Sequence, residues 1–258
     1  MTMSIRRRLL TVLFLFISAQ IYSASVGLAQ DIRIHFLGHA GFVFQFGNGI
    51  GVVTDYAYFH DIGDFKPDVA TYSHGHDDHA GGVLPPGMNR AHVLTNSMAL
   101  ELEGISFQPI VTSETTPGSN DNCSYLMTYK GFTILHLGDA QADMSAIESA
   151  RVRDHLQQRL PAKVDLLLIP LGNGVCAITK KEVEQFIDFV QPRMVIPMHY
   201  WNFFEKWSFL RHIARSKPTD GRQYKIVKVG SPQYTIDISQ PAEKGVLEII
   251  VLDDSDYE

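Results

Sequence analysis

The sequence predicts an α/β (α+β) chain whose chemistry lies along one rim of a sheet sandwich, and three observations carry that expectation. Three short alternating apolar runs follow one another before any helical pattern, which implies a sheet built from a meander. Apolar strands then alternate with helical segments through the second half. Finally, three of the strands end in a metal-binding residue type: the stretch 67–73 runs into His74, the stretch 131–138 into Asp139 and the stretch 192–198 into His199.

Composition sets the outer bounds. With 258 residues, 45% hydrophobic and 19% charged, the chain is long enough for a sizeable core in one or two domains. Residues 1–29 stand apart, because Arg6-Arg7-Arg8 precedes a short apolar run and then small residues ending Gly27-Leu28-Ala29, the pattern of a cleavable secretory signal. The run is shorter than the ~20 residues a membrane span needs. Cleavage after Ala29 is expected, leaving a single domain over 30–258 in the periplasm or secreted, with no membrane association thereafter. The full chain already carries a formal charge of −6, and the removed segment holds three arginines and no acid. A body this acidic lacks a phosphate-neutralising surface, which argues against a nucleic-acid partner. The partner expected is a small-molecule substrate, and the oligomeric state is left open. Cys123 and Cys176 are too few for a disulfide framework and are left unpaired.

In chain order, Ile32–Leu37, Phe42–Phe46 and Ile50–Asp55 read as the three strands, with turns at Gly38–Gly41 and Gly47-Asn48-Gly49. Asp55 ends the third strand and is assigned a supporting role behind the ligands; His39, between glycines, is read as a hydrogen-bonded structural residue in the same supporting category. The strand 67–73 then delivers Thr71-Tyr72-Ser73-His74-Gly75-His76-Asp77-Asp78-His79. Side chains alternate along an extended segment, so His74 and His76 share a side. A helical turn after them would send Asp78 and His79 toward a second, adjacent point. Imidazole and carboxylate are donors that Zn²⁺ and similar borderline ions accept, and the close spacing makes this the strongest chemical signal in the chain.

Further on, residues 91–94 are expected as a short strand containing a structural His92, 97–103 as a short helix, and 105–111 and 124–130 as strands around a polar loop. Gly131–Asp139 is an apolar strand ending in an acid, and a carboxylate at such a buried end must be paired, hydrogen-bonded or metal-bound. Alternation turns His136 away from Asp139. A helix is expected over 143–160, a buried strand over 164–170, and an amphipathic helix from Lys180 with Thr179 as N-cap and Glu182 completing a capping box. The strand 192–198 precedes His199, and the aromatic stretch 201–207 is expected as packed core, with pocket wall as the other option. Strands over 224–229 and 246–251 close the chain.

Taken in series, His74-Gly75-His76-Asp77-Asp78-His79, His136-Leu137-Gly138-Asp139 and Ile196-Pro197-Met198-His199-Tyr200 resemble the metallo-β-lactamase superfamily, most closely its ascorbate-6-phosphate lactonase-like branch. Gly38-His39-Ala40-Gly41-Phe42 and Ile169-Pro170-Leu171-Gly172 are similar to that branch as well, and the resemblance covers residues 31 to 205. It implies a four-layer αββα sandwich with a dinuclear site at one edge. His74 and His76 would bind one ion with a third histidine; Asp78, His79 and His199 would bind the other, and Asp139 would bridge them. Where the third histidine belongs, this chain has Thr112-Ser113-Glu114-Thr115. Glu114 is the candidate replacement, with Asp121 a second carboxylate nearby, and one ion or two remain equally open. The metal is expected to be Zn, with Mn or Fe as alternatives.

A metal-held water has its pKa lowered to about 7, and the hydroxide so formed attacks an electrophilic carbonyl or phosphorus. Asp78 is the residue expected to orient that nucleophile or shuttle its proton. The resemblance thus implies a metal-dependent hydrolase of a lactone, amide or phosphoester. The alternative is a non-catalytic metal- or ligand-binding protein that kept the fold and lost a histidine.

Overall fold

The expected meander is present at the start of the fold. In the computed structural model, which describes residues 31–80, 84–85, 87–88, 92–95, 97–171, 179–200 and 202–253, β1 (Asp31–Gly38), β2 (Gly41–Phe46) and β3 (Gly51–Thr54) pair antiparallel in succession. Two short strands, β4 (Val69–Thr71) and β5 (Val93–Leu94), extend this sheet in parallel. Alternation divides its residues between two clusters. Ile32, Ile34, Phe36, Phe42, Phe44, Phe46, Val52 and Val69 enter the main core, while Leu37, Val43, Val53 and Ala70 join Tyr56 and Tyr72 in a smaller cluster on the opposite face. Phe36, Phe42, Phe44 and Phe46 form an inward ladder with successive ring centroids 4.7, 6.0 and 6.4 Å apart.

The second sheet contains β6 (Leu100–Leu102), β7 (Ile105–Thr112), β8 (Asn122–Tyr129), β9 (Phe132–His136), β10 (Leu166–Pro170), β11 (Met194–Met198), β12 (Gln223–Lys228) and β14 (Val246–Val251). Its order is β12-β14-β11-β10-β9-β8-β7-β6. The neighbours β9, β10 and β11 are parallel and advance across the sheet in one direction. The connections between them carry α1 (Gln141–Ser145), α2 (Ala150–Gln157) and α3 (Lys180–Val190), and α1 lies against α3. All five residues of β10 are buried, as a parallel strand covered on both faces requires. The two sheets thus pack as a mixed α/β sandwich, in agreement with the expected fold class. Because β9 and β11 are parallel, their C-terminal ends reach the same rim, where Asp139 and His199 begin the loops.

Several elements depart from expectation. Residues 97–103 do not form a helix; β6 pairs with β7 through Glu103-Gly104, both with positive φ (47° and 79°), the conformation of a type I′ hairpin. The helix expected over 143–160 is two helices, separated where Ile147 and Ser149 make turn-type bonds to Met144 and Ala146. The strand β13 (Gln233–Asp237) was not anticipated; it pairs with β1 at the sheet edge, half-exposed and without a clean alternation. The aromatic stretch after His199 forms α4 (Phe203–Ile213), capped by the Asn202 side chain, which accepts from the Phe204 and Glu205 amides. Its helical repeat turns Glu205, Phe209 and Ile213 inward. Phe203, Phe204 and Trp207 are left 67%, 75% and 47% exposed, so they are not core. The capping box of α3 forms as expected between Thr179 and Glu182. Cys123 is buried and free, whereas Cys176, Trp201, the glycine loop 172–174 and the leader 1–29 lie outside the described residues. Among the described residues, no helix is long and apolar enough to cross a membrane.

Candidate metal centre

The loop leaving β4 changes direction as its spacing suggested. His74 and His76 depart from the extended segment, and the His79 and Ala80 amides then bond back to the His76 carbonyl at 3.0 and 2.8 Å, making one helical turn that carries Asp78 and His79. Asp55, at the end of β3, anchors the loop from behind. Its Oδ1 accepts from the Ser73 amide at 2.7 Å; its Oδ2 accepts from the Ser73 hydroxyl at 2.8 Å and from His79 Nδ1 at 2.8 Å. Burial opposes ionisation of Asp55, but the charge of His79 and its hydrogen bond prevail and hold the carboxyl down to about 2. Burial likewise disfavours the His79 cation, yet Asp55 and Asp139 together raise it well above the ordinary histidine value. With Nδ1 committed to Asp55, His79 offers Nε2 to the rim, 3.4 Å from Asp139 Oδ2.

Glu114 completes a first group of donors. Its Oε2 lies 3.6 Å from His74 Nε2 and its Oε1 3.4 Å from His76 Nδ1. His74 Nδ1 contacts the Ser73 hydroxyl at 3.0 Å, which leaves Nε2 as the outward lone pair. Burial lowers the His74 pKa to about 4, so its imidazole is neutral. The loop bearing Glu114 is held at both ends: the Ser113 amide donates to Asp143 Oδ2 and the Glu114 amide to Asp121 Oδ1, each at 2.8 Å. Asp121, the other carboxylate weighed for the missing histidine, is occupied by this loop and by the Thr115 and Ser119 hydroxyls.

A second group gathers deeper in the rim. His199 Nε2 stands 3.1 Å from Asp139 Oδ2, and His39 Nε2 stands 3.0 Å from Asp78 Oδ2. The donor atoms of His39, Asp78, His79 and His199 all lie within 4.8 Å of one another, as do those of His74, His76 and Glu114, and those of His74, His79 and Asp139. Asp139 therefore stands between the two groups. Its amide donates to Asn122 Oδ1 at 3.0 Å, and the preceding Gly138 has φ 56° with no room for a Cβ against Ser73. Burial works against charge on Asp139, but His199 and His79 hold it well below the usual carboxylate range.

The residues fit a metal. His74 Nε2, His79 Nε2 and Asp139 Oδ1 are buried and make no hydrogen bond among the described residues, an expensive arrangement unless something else ligates them. Mixed imidazole nitrogens and carboxylate oxygens suit zinc and neighbouring divalent ions. His74, His76, Asp78, His79, Asp139 and His199 all lie here, and Asp55, expected only as a residue behind the ligands, contacts His79. The structure also brings in His39, which sequence reasoning treated as a structural histidine; its position in a glycine-flanked turn at the end of a strand was the available signal. His136 and His92 stay outside the cluster, bonded to the Ala40 and Asp68 carbonyls at 2.9 and 3.0 Å. His60, unremarked in the sequence, is buried, accepts from the Ala57 amide and leaves Gly41 no space for a side chain.

Residues 33–199 match the beta-lactamase superfamily domain family. The chain belongs to that superfamily and is a metal-dependent hydrolase of it. It is 26% identical over 202 residues to a UPF0173 metal-dependent hydrolase of Pyrococcus furiosus, covering 66% of this chain and 84% of that one. A similarly named Thermococcus kodakarensis protein is 23% identical over 201 residues, with the same 66% and 84% coverage. The fold matches a Thermotoga maritima protein provisionally named a Zn-dependent hydrolase, at TM-score 0.55 and 24% identity over 85% of this chain and 99% of that one. It also matches Igni18, a metallo hydrolase of Ignicoccus hospitalis, at TM-score 0.54 and 14% identity over 80% and 98%.

Proposed function

We propose that the protein holds two divalent ions and hydrolyses a small lactone, amide or phosphoester. His74, His76 and Glu114 serve the first ion, Asp78, His79 and His199 the second, and Asp139 lies between them. The observation that carries this reading is Glu114, whose two carboxylate oxygens face His74 and His76 where the superfamily resemblance led us to expect a third histidine. With that place filled, the reason for preferring a non-catalytic descendant weakens. Zinc is the proposed metal, with manganese or iron as alternatives, and the motif series supports the ascorbate-6-phosphate lactonase-like branch. The basic and apolar pattern of residues 1–29 supports export of a single domain over 30–258 to the periplasm or beyond.

A bound divalent ion supplies Lewis acidity, which acidifies a coordinated water and polarises the substrate oxygen. The chain's own groups supply the rest. His79, His199 and Asp139 are buried and fix the closed side, whereas His76 is 60% exposed at its side chain and Asp78 is partly exposed, so substrate enters past these two. In the ion-free chain the contact from His39 Nε2 holds the Asp78 carboxyl ionised against the cost of burial, and in the loaded site Asp78 would accept the nucleophile's proton at a carboxylate oxygen and orient the attack. Burial of the remaining ligands keeps water away from the developing charge. The test is turnover of a panel of lactones, amides and phosphoesters by purified protein. Activity lost on chelation and in His76→Ala supports the proposal, and chelator-resistant turnover contradicts it.

A further inference from the structure

We infer that His39 is itself a ligand of the second ion, through Nε2, beside Asp78, His79 and His199; this rests on the two-ion reading above. Two donors about 2.1 Å from a common ion sit roughly 3.0–3.4 Å apart at octahedral to tetrahedral angles. The His39 Nε2 to Asp78 Oδ2 distance of 3.0 Å has that spacing, as does the 3.1 Å between His199 Nε2 and Asp139 Oδ2. The His39 ring centroid lies 5.4 Å from that of His79, close to the separation of two imidazoles on one ion, and 3.9 Å from that of His199, a tighter tilted contact, while the donor atoms of all three lie within 4.8 Å of one another. A hydrogen bond to Asp78 alone would not require His39 to share a point with both other rings.

The backbone supports the same reading. His39 and His199 both occupy the left-handed region, at φ 52° and 57°, and the His199 amide donates to the His39 carbonyl at 2.7 Å. Strain of this kind persists where surrounding structure enforces it, and it clusters where side chains must be aimed. Here it aims two imidazoles from different sheets at one place. The turn is also braced, since Gly41 lies against His60, whose Nδ1 accepts from the Ala57 amide at 3.1 Å. The second ion then has three imidazoles and two carboxylates, counting Asp139, and is the more tightly held of the two.

The experiment loads the full chain with Co²⁺ and follows metal retention under graded chelator together with the visible ligand-field spectrum. Wild type, His39→Ala, His39→Gln and His74→Ala are compared. His39→Ala is expected to release one ion at least tenfold more readily, with altered bands, while the other ion stays. His74→Ala should weaken the opposite ion. His39→Gln keeps an N–H for Asp78 but has no imidazole, so it should not restore the spectrum; it also carries the test if the alanine variant does not fold. Wild-type retention and bands in His39→Gln, or in His39→Ala, overturn the inference and leave His39 as a residue that positions Asp78. A wild-type chain that takes up one ion in place of two overturns the two-ion reading and this inference with it, whereas two ions with an indifferent His39 overturn the inference alone.

Discussion

Replacing Asp55 by asparagine isolates the support behind His79. The carboxylate accepts three hydrogen bonds while fully buried, two from Ser73 and one from His79. Asparagine keeps the Oδ1 bond to the Ser73 amide, but its NH₂ replaces the oxygen facing the Ser73 hydroxyl and His79 Nδ1. The hydroxyl can rotate and accept. The charge-assisted bond from His79 is lost, at about 1.5–3 kcal/mol. To accept from the new amide, His79 must give up the Nδ1 proton and carry one on Nε2, the atom required for metal. Affinity for the second ion should therefore fall about 10–100-fold. Denaturant unfolding of ion-free protein reads the first effect and competition titration with a chromophoric chelator reads the second. Stability within about 0.5 kcal/mol of wild type together with unchanged affinity would refute the coupling of Asp55 to the site.

Gly138→Ala forces a Cβ into Ser73 and Asn122 at a φ of 56°, and should destabilise by about 2–4 kcal/mol while displacing Asp139; thermal unfolding and metal retention should both fall. Phe44→Ala, in the middle of the phenylalanine ladder, should cost about 3–5 kcal/mol in denaturant unfolding and leave the metal ligands in place. The ion-free chain should also show a stability window in pH. Asp55 has a folded pKa depressed to about 2, so its contribution is complete above the unfolded value of about 4 and lost as pH falls toward 2. The His79 pKa is raised, so its contribution is complete below about 6.5 and lost as pH climbs through the higher folded value. The contribution of the Asp55–His79 pair should therefore be complete between about 4 and 6.5, while His74, its pKa lowered to about 4, adds a separate loss as pH falls below about 6.5; in unfolding free energy measured across pH, Asp55→Asn should shrink the part of the acid limb below about 4 and leave the His74 part in place.

The parts of this molecule that were legible in advance are those with a local cause. The alternation of Ile32, Ile34 and Phe36, the capping box of Thr179 and Glu182, and the packed histidines and aspartates after β4 all act within a few residues, so their spacing reveals them. Asp139 and His199 were legible because each follows an apolar strand, and parallel strands bring their ends to one rim. Pairings made across the fold were not. The edge strand β13 acquires its identity from β1, some two hundred residues away, and half of it faces solvent. The Glu103-Gly104 hairpin uses a glutamate where asparagine is the usual signal, so a short strand passed for a helix. His39 is distant in sequence from every other ligand and joins them only because the β1–β2 turn lies on the ligand rim. Glu114 was named as the candidate with Asp121 beside it, and only the loop's hydrogen bonds engage Asp121 and leave Glu114 facing the histidines.

The count of bound ions tests the central claim most directly. Elemental analysis of the purified chain should find two divalent ions per molecule in wild type and one in Glu114→Ala, because that change removes the carboxylate between His74 and His76 and leaves the second group whole. A single ion in wild type, or two in both proteins, would contradict the assignment of Glu114 as the ligand that completes the centre.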